Sequence, residues 1–205
     1  MRIALLVIGA YLFGSIPVGV LVGRAFGFDP REVGSGNIGM TNVTRAGGSG
    51  PGAITFAGDL LKGLVPVLCA RIAGLPTGIV ALVALGAFAG AISSIFLRFS
   101  GGKGVSASLG IWLAISPMTA LVAVVVFGIV FAVARIVSLA SISAAIVLPP
   151  AAAVMGLPRP FVGLAIVMTA LVLLRHHENI ARLIKGEERP AERKKTGRQP
   201  AGAGQ

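Results

Sequence analysis

Apolar residues run along this chain in long blocks, which polar residues interrupt at a few short, glycine-rich places. Ile3–Gly23 is the first block. Its length suits a helix that must cross roughly 30 Å of hydrocarbon. Pro17 predicts a kink in it, and Gly19-x-x-x-Gly23 predicts a close helix–helix contact. Pro51–Ala73, Thr77–Leu97, Val105–Ile115, Met118–Ala134, Ile136–Val154 and Phe161–Leu174 follow, with outer turns at Gly74-Leu75-Pro76 and Gly156–Pro160. Val105–Ile115 reaches only about 17 Å as a helix, a length tolerated where protein or a cavity surrounds it. Charge fixes its role. Arg24, Arg31, Arg45 and Lys62 gather around the first interruption, Arg98 and Lys103 mark the second, Arg135 the third, and the chain is strongly basic from Arg175. Loops rich in Lys and Arg stay cytoplasmic, and placing all four on one side requires two crossings between Lys103 and Arg135. The pattern therefore predicts an all-α polytopic membrane protein of seven transmembrane helices, one of them short. Its N-terminus is extracytoplasmic and its C-terminus cytoplasmic. A single membrane domain spans 1–185, and residues 186–205, which lack apolar periodicity, read as a disordered basic cytoplasmic tail.

Composition narrows this further. Hydrophobic residues are 55% and charged residues 12%, against about 25% charged in soluble domains. The first block is too long for a signal-peptide core and lacks a small-residue cleavage site. A net charge of +11 is scattered between the blocks, which points to membrane lipid and not to nucleic acid. A single cysteine, Cys69, excludes an intrachain disulfide and a multi-Cys metal site, and its apolar setting predicts a small buried hydrophobe.

The interruptions carry the chemistry. Asp59 and Lys62 lie inside an apolar block at i,i+3, where they can pair. Between Val33 and Gly48 stand five glycines, two asparagines, a serine, two threonines and an arginine. Glycines let backbone N–H groups form a concave nest for an anion, and Arg45 adds a planar fork matched to phosphate. Gly34-x-Gly36-x-x-Gly39 also fits a dinucleotide fingerprint, but a turn at Asp29–Glu32 precedes it and no α/β alternation follows. An ordinary flexible loop is the plainer reading. Gly101-Gly102-Lys103-Gly104 is a second nest with a cation inside it. It is not a P-loop, because Leu97 and Gly104 stand where that motif needs Gly and Ser/Thr. The last interruption, from Arg175 to Ile184, holds both histidines. A continuous helix there would bring Arg175, Asn179 and Arg182 near one face, with His176 and Asn179 at i,i+3. Adjacent His176 and His177 point apart, which argues against a metal site; a basic helix on anionic lipid is the plainer alternative.

Gly34-Ser35-Gly36-Asn37-x-Gly39-x-Thr41-Asn42-x-x-Arg45, Gly101-Gly102-Lys103-Gly104 and His176-x-Glu178-Asn179, in this order, resemble the bacterial acyl-phosphate:glycerol-3-phosphate acyltransferase family. The likeness continues through Asp59–Gly63, Ala114–Pro117 and Val137–Ile142, to about Gly186. It implies a seven-span inner-membrane enzyme that moves an acyl chain from acyl phosphate to the 1-hydroxyl of glycerol 3-phosphate at the cytoplasmic face, with no metal, cofactor or coenzyme A. Carried over by position, Ser35, Arg45, Lys103, His176 and Asn179 are the catalytic set. Gly36, Asn37, Thr41, Asn42 and Ser141 bind substrate, and Gly101, Gly102 and Gly104 hold the donor's anionic head. The chain departs from the family at Ala91 and Ser94, where a His and a Pro are usual. Acyl phosphate is already activated, so no protein nucleophile is needed, and no Gly-x-Ser-x-Gly elbow is present. Arg45 and Lys103 would neutralise phosphoryl charge, Ser35 and Asn179 would orient the alcohol, and His176 would act as base or hydrogen-bond donor. Two other readings are a non-catalytic relative, prompted by Ala91, and an organic-phosphate transporter, which the short outer turns and absence of an internal repeat disfavour. Nothing in the pattern demands an oligomer.

Overall fold

A computed structural model describes residues 1–188 and 190; Arg189 and 191–205, and with them most of the expected tail, lie outside the described residues. Among the described residues ten α-helices follow one another: α1 (Arg2–Gly14), α2 (Val18–Ala25), α3 (Met40–Gly47), α4 (Ser49–Ile72), α5 (Thr77–Ile92), α6 (Val105–Ile115), α7 (Pro117–Ala134), α8 (Val137–Val154), α9 (Arg159–Arg175) and α10 (His177–Ile184). Four stretches are long and apolar enough to cross a membrane: Arg2–Ala25 taken across its break, α4, α7 and α8. A fifth is reached if α9 and α10 count together, while α5 and α6 are shorter apolar helices.

Proline breaks the first span. Pro17 has no N–H and disfavours helical backbone at Ile16, so α1 ends at Gly14 and α2 starts at Val18. The carbonyls this opens are met by side chains. Ser94 Oγ donates to the Ser15 carbonyl at 2.5 Å, and Lys62 Nζ to that of Ile16 at 3.4 Å. Lys62 is buried and pairs with Asp59 at 2.8 Å. The intramembrane ion pair is thus a brace between α4 and the break, as the i,i+3 spacing suggested.

The short helix α6 lies against α4 so closely that a Cβ on Gly63 would overlap the Ala107 carbonyl, and one on Gly110 the Leu60 carbonyl. Its far end is capped from α4. Arg71, from the last turn of that helix, donates to the carbonyls of Ala114 and, at 3.1 Å, Ile115. Those carbonyls have no partner within a helix that ends there, which accounts for a cation outside the expected charge pattern. Ser116 then caps α7, accepting from the Thr119 N–H at 3.3 Å, with Pro117 in the first turn. Phe88, Ile111, Trp112 and Met168 are fully buried where α5, α6 and α9 meet the core.

Several boundaries differ from the sequence reading. Gly19 and Gly23 seat the first polar loop: a Cβ on Gly19 would strike the Ile38 carbonyl and crowd Val43, and one on Gly23 would strike the Phe28 carbonyl. That loop contains a helix, α3, whose Asn42 and Val43 are buried. The third block stops being α-helical at Ile92 and turns through a 3-10 segment at Ile95–Leu97. Proline 149 and 150 sit inside α8. Cys69 is exposed, lining an apolar groove of about 460 Å³ between α1, α4 and α5.

Candidate active site

The first nest is shaped from within. Asn42 Nδ2 donates to the carbonyls of Pro30 at 2.7 Å and Val33 at 2.9 Å, while its Oδ1 accepts from the Ser35 N–H at 3.0 Å. That engages the buried amide on both sides, so Asn42 is framework here and not a free ligand-binding group. Gly34 and Gly36 take φ of +62° and +67°, a region that favours glycine. Ser35, Thr41 and Arg45 are left exposed around this frame. Asn37 Oδ1 accepts from the Gly39 N–H at 3.2 Å and lies 3.8 Å from where a Cβ on Gly102 would stand. The two nests therefore adjoin.

The second nest leans on the end of α5. Ser94 N–H donates to the Ser100 carbonyl at 3.1 Å, and Gly102 N–H to the Ala91 carbonyl at 3.1 Å. Gly104 has φ +76°, and a Cβ on it would press into Phe88 and Ile92. The N–H groups of Lys103 and Gly104 have no partner among the described residues. They stand beside the first turn of α6, where further N–H groups are free. Free N–H groups of this kind can receive an anion, and a lysine stands at their edge.

The last apolar helix delivers the remaining groups. It does not continue smoothly: α9 and α10 meet at His176 with a bend of 64°. Arg175 therefore leaves the face expected for it and donates to the carbonyls of Gly101 and Gly102. His176 is buried, with Nδ1 2.8 Å from the Val172 carbonyl. A carbonyl can only accept, so the neutral ring carries its hydrogen on Nδ1 and keeps a lone pair on Nε2. Lys103 Nζ donates to Asn179 Oδ1. Asn179 Nδ2 donates in turn to Glu188 Oε1 at 2.5 Å. Glu188 also accepts from Ser138 Oγ at 2.6 Å and Arg182 Nε at 2.6 Å. Ser141 is buried one turn further along α8.

Glu188 and Ser138 belong to this cluster, and the sequence reading gave neither a role; Arg175 it placed only on a helix face with Asn179 and Arg182. Glu188 lies in a polar stretch that offers no pattern; only its being an acid among many bases marks it. Its role is orientation. An amide that donates to a carboxylate must turn its oxygen the other way, toward the ammonium. Burial alone would raise the Glu188 carboxyl, but bonds from Ser138, Arg182 and Asn179 outweigh it and hold the group below its usual range. Burial pushes Lys103 down from the ordinary lysine value, with Glu188 opposing and Arg182 and Arg175 adding to the fall. His176 is driven down to about 4, mainly by burial, with Lys103 and Arg175 adding to the shift against the Val172 carbonyl and Glu188. At neutral pH it is an uncharged acceptor. No three His, Cys, Asp or Glu side chains gather as a metal cluster among the described residues.

Residues 4–186 match the family model described as glycerol-3-phosphate acyltransferase. Glycerol-3-phosphate acyltransferase of Geotalea daltonii is 48% identical over 183 residues, 89% of this chain and 94% of that one. The protein of the same name from Rubrobacter xylanophilus is 46% identical over 185 residues, 90% and 93% of the two chains. Among solved structures, PlsY (YgiH), an integral membrane glycerol 3-phosphate acyltransferase, superposes in its glycerol 3-phosphate form with a TM-score of 0.90 at 41% identity, covering 94% of this chain and 96% of that chain. Its lysophosphatidic acid form gives 0.89 at 40% identity, with the same coverage. Whole-length similarity and the same helical frame lead to one conclusion: the chain belongs to the glycerol-3-phosphate acyltransferase family.

Proposed function

We propose that this acyltransferase takes its acyl chain from an acyl phosphate and moves it to the 1-hydroxyl of glycerol 3-phosphate, giving lysophosphatidic acid and phosphate, the first step of phospholipid synthesis. The observation that carries the reading is the charged chain Lys103–Asn179–Glu188 set beside a glycine nest whose N–H groups at Lys103 and Gly104 have no partner among the described residues. The nest and Lys103 take the donor's phosphoryl oxygens. Arg45, Ser35 and Asn37 face the phosphate of glycerol 3-phosphate from the first loop, with Thr41 and Ser141 nearby. Asn179 fixes Lys103. The glycerol 1-hydroxyl donates to Nε2 of neutral His176, and its oxygen attacks the acyl carbon. A tetrahedral intermediate forms, then the carbon–oxygen bond to phosphate breaks. The proton leaves with the phosphate: a phosphate monoester has a second pKa of about 6, so the departing group is more basic than a histidine held down to about 4. His176 orients the alcohol more than it keeps its proton.

The seven crossings follow from the charge pattern, with α5 and α6 counted as short spans beside α4. This puts the site at the cytoplasmic face of a bacterial inner membrane, with the N-terminus outside. Similarity to PlsY crystallised in glycerol 3-phosphate and lysophosphatidic acid forms supports the acceptor and product. The test uses purified protein in lipid nanodiscs. Acyl phosphate and glycerol 3-phosphate should release orthophosphate and form lysophosphatidic acid, with chelator present, while acyl-coenzyme A should not react. Turnover with acyl-coenzyme A, or loss of activity in chelator that a divalent ion restores, overturns the donor assignment.

A further inference from the structure

Three of the four residues in Gly101–Gly104 are glycine, so the loop has little side-chain packing of its own with which to hold its shape. Glycine backbone is the least restricted of any, and the direction of its N–H groups must be set from outside. One side is set by α5. A Cβ on Gly101 would press into the backbone of Ile92 and Ser93, and the Gly102 N–H is held by the Ala91 carbonyl at 3.1 Å. The other side is set by one residue, Arg175, where α9 ends. Its Nε donates to the Gly102 carbonyl at 3.2 Å and its Nη2 to the Gly101 carbonyl at 2.6 Å.

Peptide planarity turns that grip into a direction. In a trans peptide the C=O and the following N–H point opposite ways. The Gly102 carbonyl shares its plane with the Lys103 N–H, so holding the first aims the second. Arg175 makes no ion pair among the described residues, and its fork has these two carbonyls as its partners there.

We propose that Arg175 is a positioning residue for the phosphate nest: its guanidinium fork, gripping the Gly101 and Gly102 carbonyls from outside the loop, aims the Lys103 N–H at the donor's anionic head. The proposal rests on the acyl-phosphate reading above. Two nitrogens on one rigid plane hold two carbonyls in a fixed relation, which a lysine, as a point donor on a flexible stem, does not.

Steady-state kinetics on the full chain in nanodiscs test it, varying each substrate in turn. Arg175→Ala should raise KM for acyl phosphate by at least about tenfold, the effect of losing one charge-assisted hydrogen bond. The inhibition constant of orthophosphate should rise in parallel, while KM for glycerol 3-phosphate stays within about twofold. Arg175→Lys should recover only a small part of the loss, because the charge returns without the fork. Equal rises in both KM values, or a fall in kcat alone, would mark a general structural role and overturn the proposal. So would wild-type behaviour of Arg175→Ala, or full recovery in Arg175→Lys. If Arg175→Ala does not fold, Arg175→Lys and Arg175→Gln carry the same comparison. An inactive wild-type protein sinks the acyl-transfer reading instead, a separate outcome.

Discussion

Lys103 is the cation whose surroundings most constrain it. Gly102 and Gly104 flank it, Asn179 fixes its ammonium, and burial already holds its pKa below the lysine value. Backbone N–H groups alone do not balance a phosphoryl dianion, so Lys103→Ala removes charge the reaction needs. One preorganised donor lost from a transition state costs about 2.7–4 kcal/mol, and turnover should fall on the order of a hundredfold or more, with protein still recovered folded. More than about a third of wild-type rate in folded Lys103→Ala would mean the loop is only a turn. His176 yields a pH prediction. Its folded pKa is depressed to about 4 from 6.5, so between those values the unfolded chain binds more protons than the folded one. Stability from this group is fully present above pH 6.5 and lost as pH falls toward 4. Activity should therefore persist through pH 6 and 5.5 without the half-loss that an ordinary histidine would impose. An acid limb centred near 6.5 in wild type, absent in His176→Asn, would contradict the neutral-acceptor role. At this scale the sequence was legible wherever a rare side chain stood in a glycine frame, as Lys103 does. Glu188 was not legible, because its partners come from α8 and α10 and only folding brings them to it.

Helices were legible as apolar blocks, and the ends of α6 and α8 with them, but several other ends were not. A block of Val, Leu and Ala reads the same whether it crosses the membrane or stops partway; what satisfies its end is a contact from elsewhere. The stop of α6 at Ile115 was legible, because Pro117 disfavours helical backbone at Ser116; its partner was not, since Arg71 reaches the carbonyls of Ala114 and Ile115 from α4. The Pro17 break is tolerated because Ser94 and Lys62 arrive at Ser15 and Ile16. Likewise α3 lay hidden within a glycine-rich loop, since eight residues give too short a window for periodicity to stand out. The cap on α6 is testable. Arg71→Met keeps the aliphatic stem but leaves acceptors in apolar surroundings, at about 1–3 kcal/mol. The thermal midpoint of the purified protein should drop by several degrees, and Arg71→Lys should recover part of it. An unchanged midpoint in Arg71→Met would assign the capping to lipid headgroups or water.

Across the whole molecule, the proposed topology rests on one inference from charge: α6 and α7 are read as two crossings because the positive-inside rule groups Lys103 and Arg135 with the cytoplasmic cations. The fold supplies the means. At eleven residues α6 is short, but it starts at the nest, rests its glycine face on α4, and ends on Arg71. Ser116 and Pro117 then start α7 with its own cap: proline brings no N–H, and the Thr119 N–H is taken by Ser116 Oγ. From Pro117, α7 runs 18 residues, enough for a full return to Arg135. Membrane-impermeant thiol labelling decides it in a Cys69→Ser background, needed because Cys69 is exposed. Ser100→Cys and Arg135→Cys should label only from the cytoplasmic side of oriented vesicles, and Thr77→Cys, at the exposed start of α5, only from the outside. Labelling of Ser100→Cys and Arg135→Cys from opposite sides would make α6 and α7 a single crossing. The nest and Arg135 would then face different compartments, and the seven-span reading, with its C-terminus cytoplasmic, would fall.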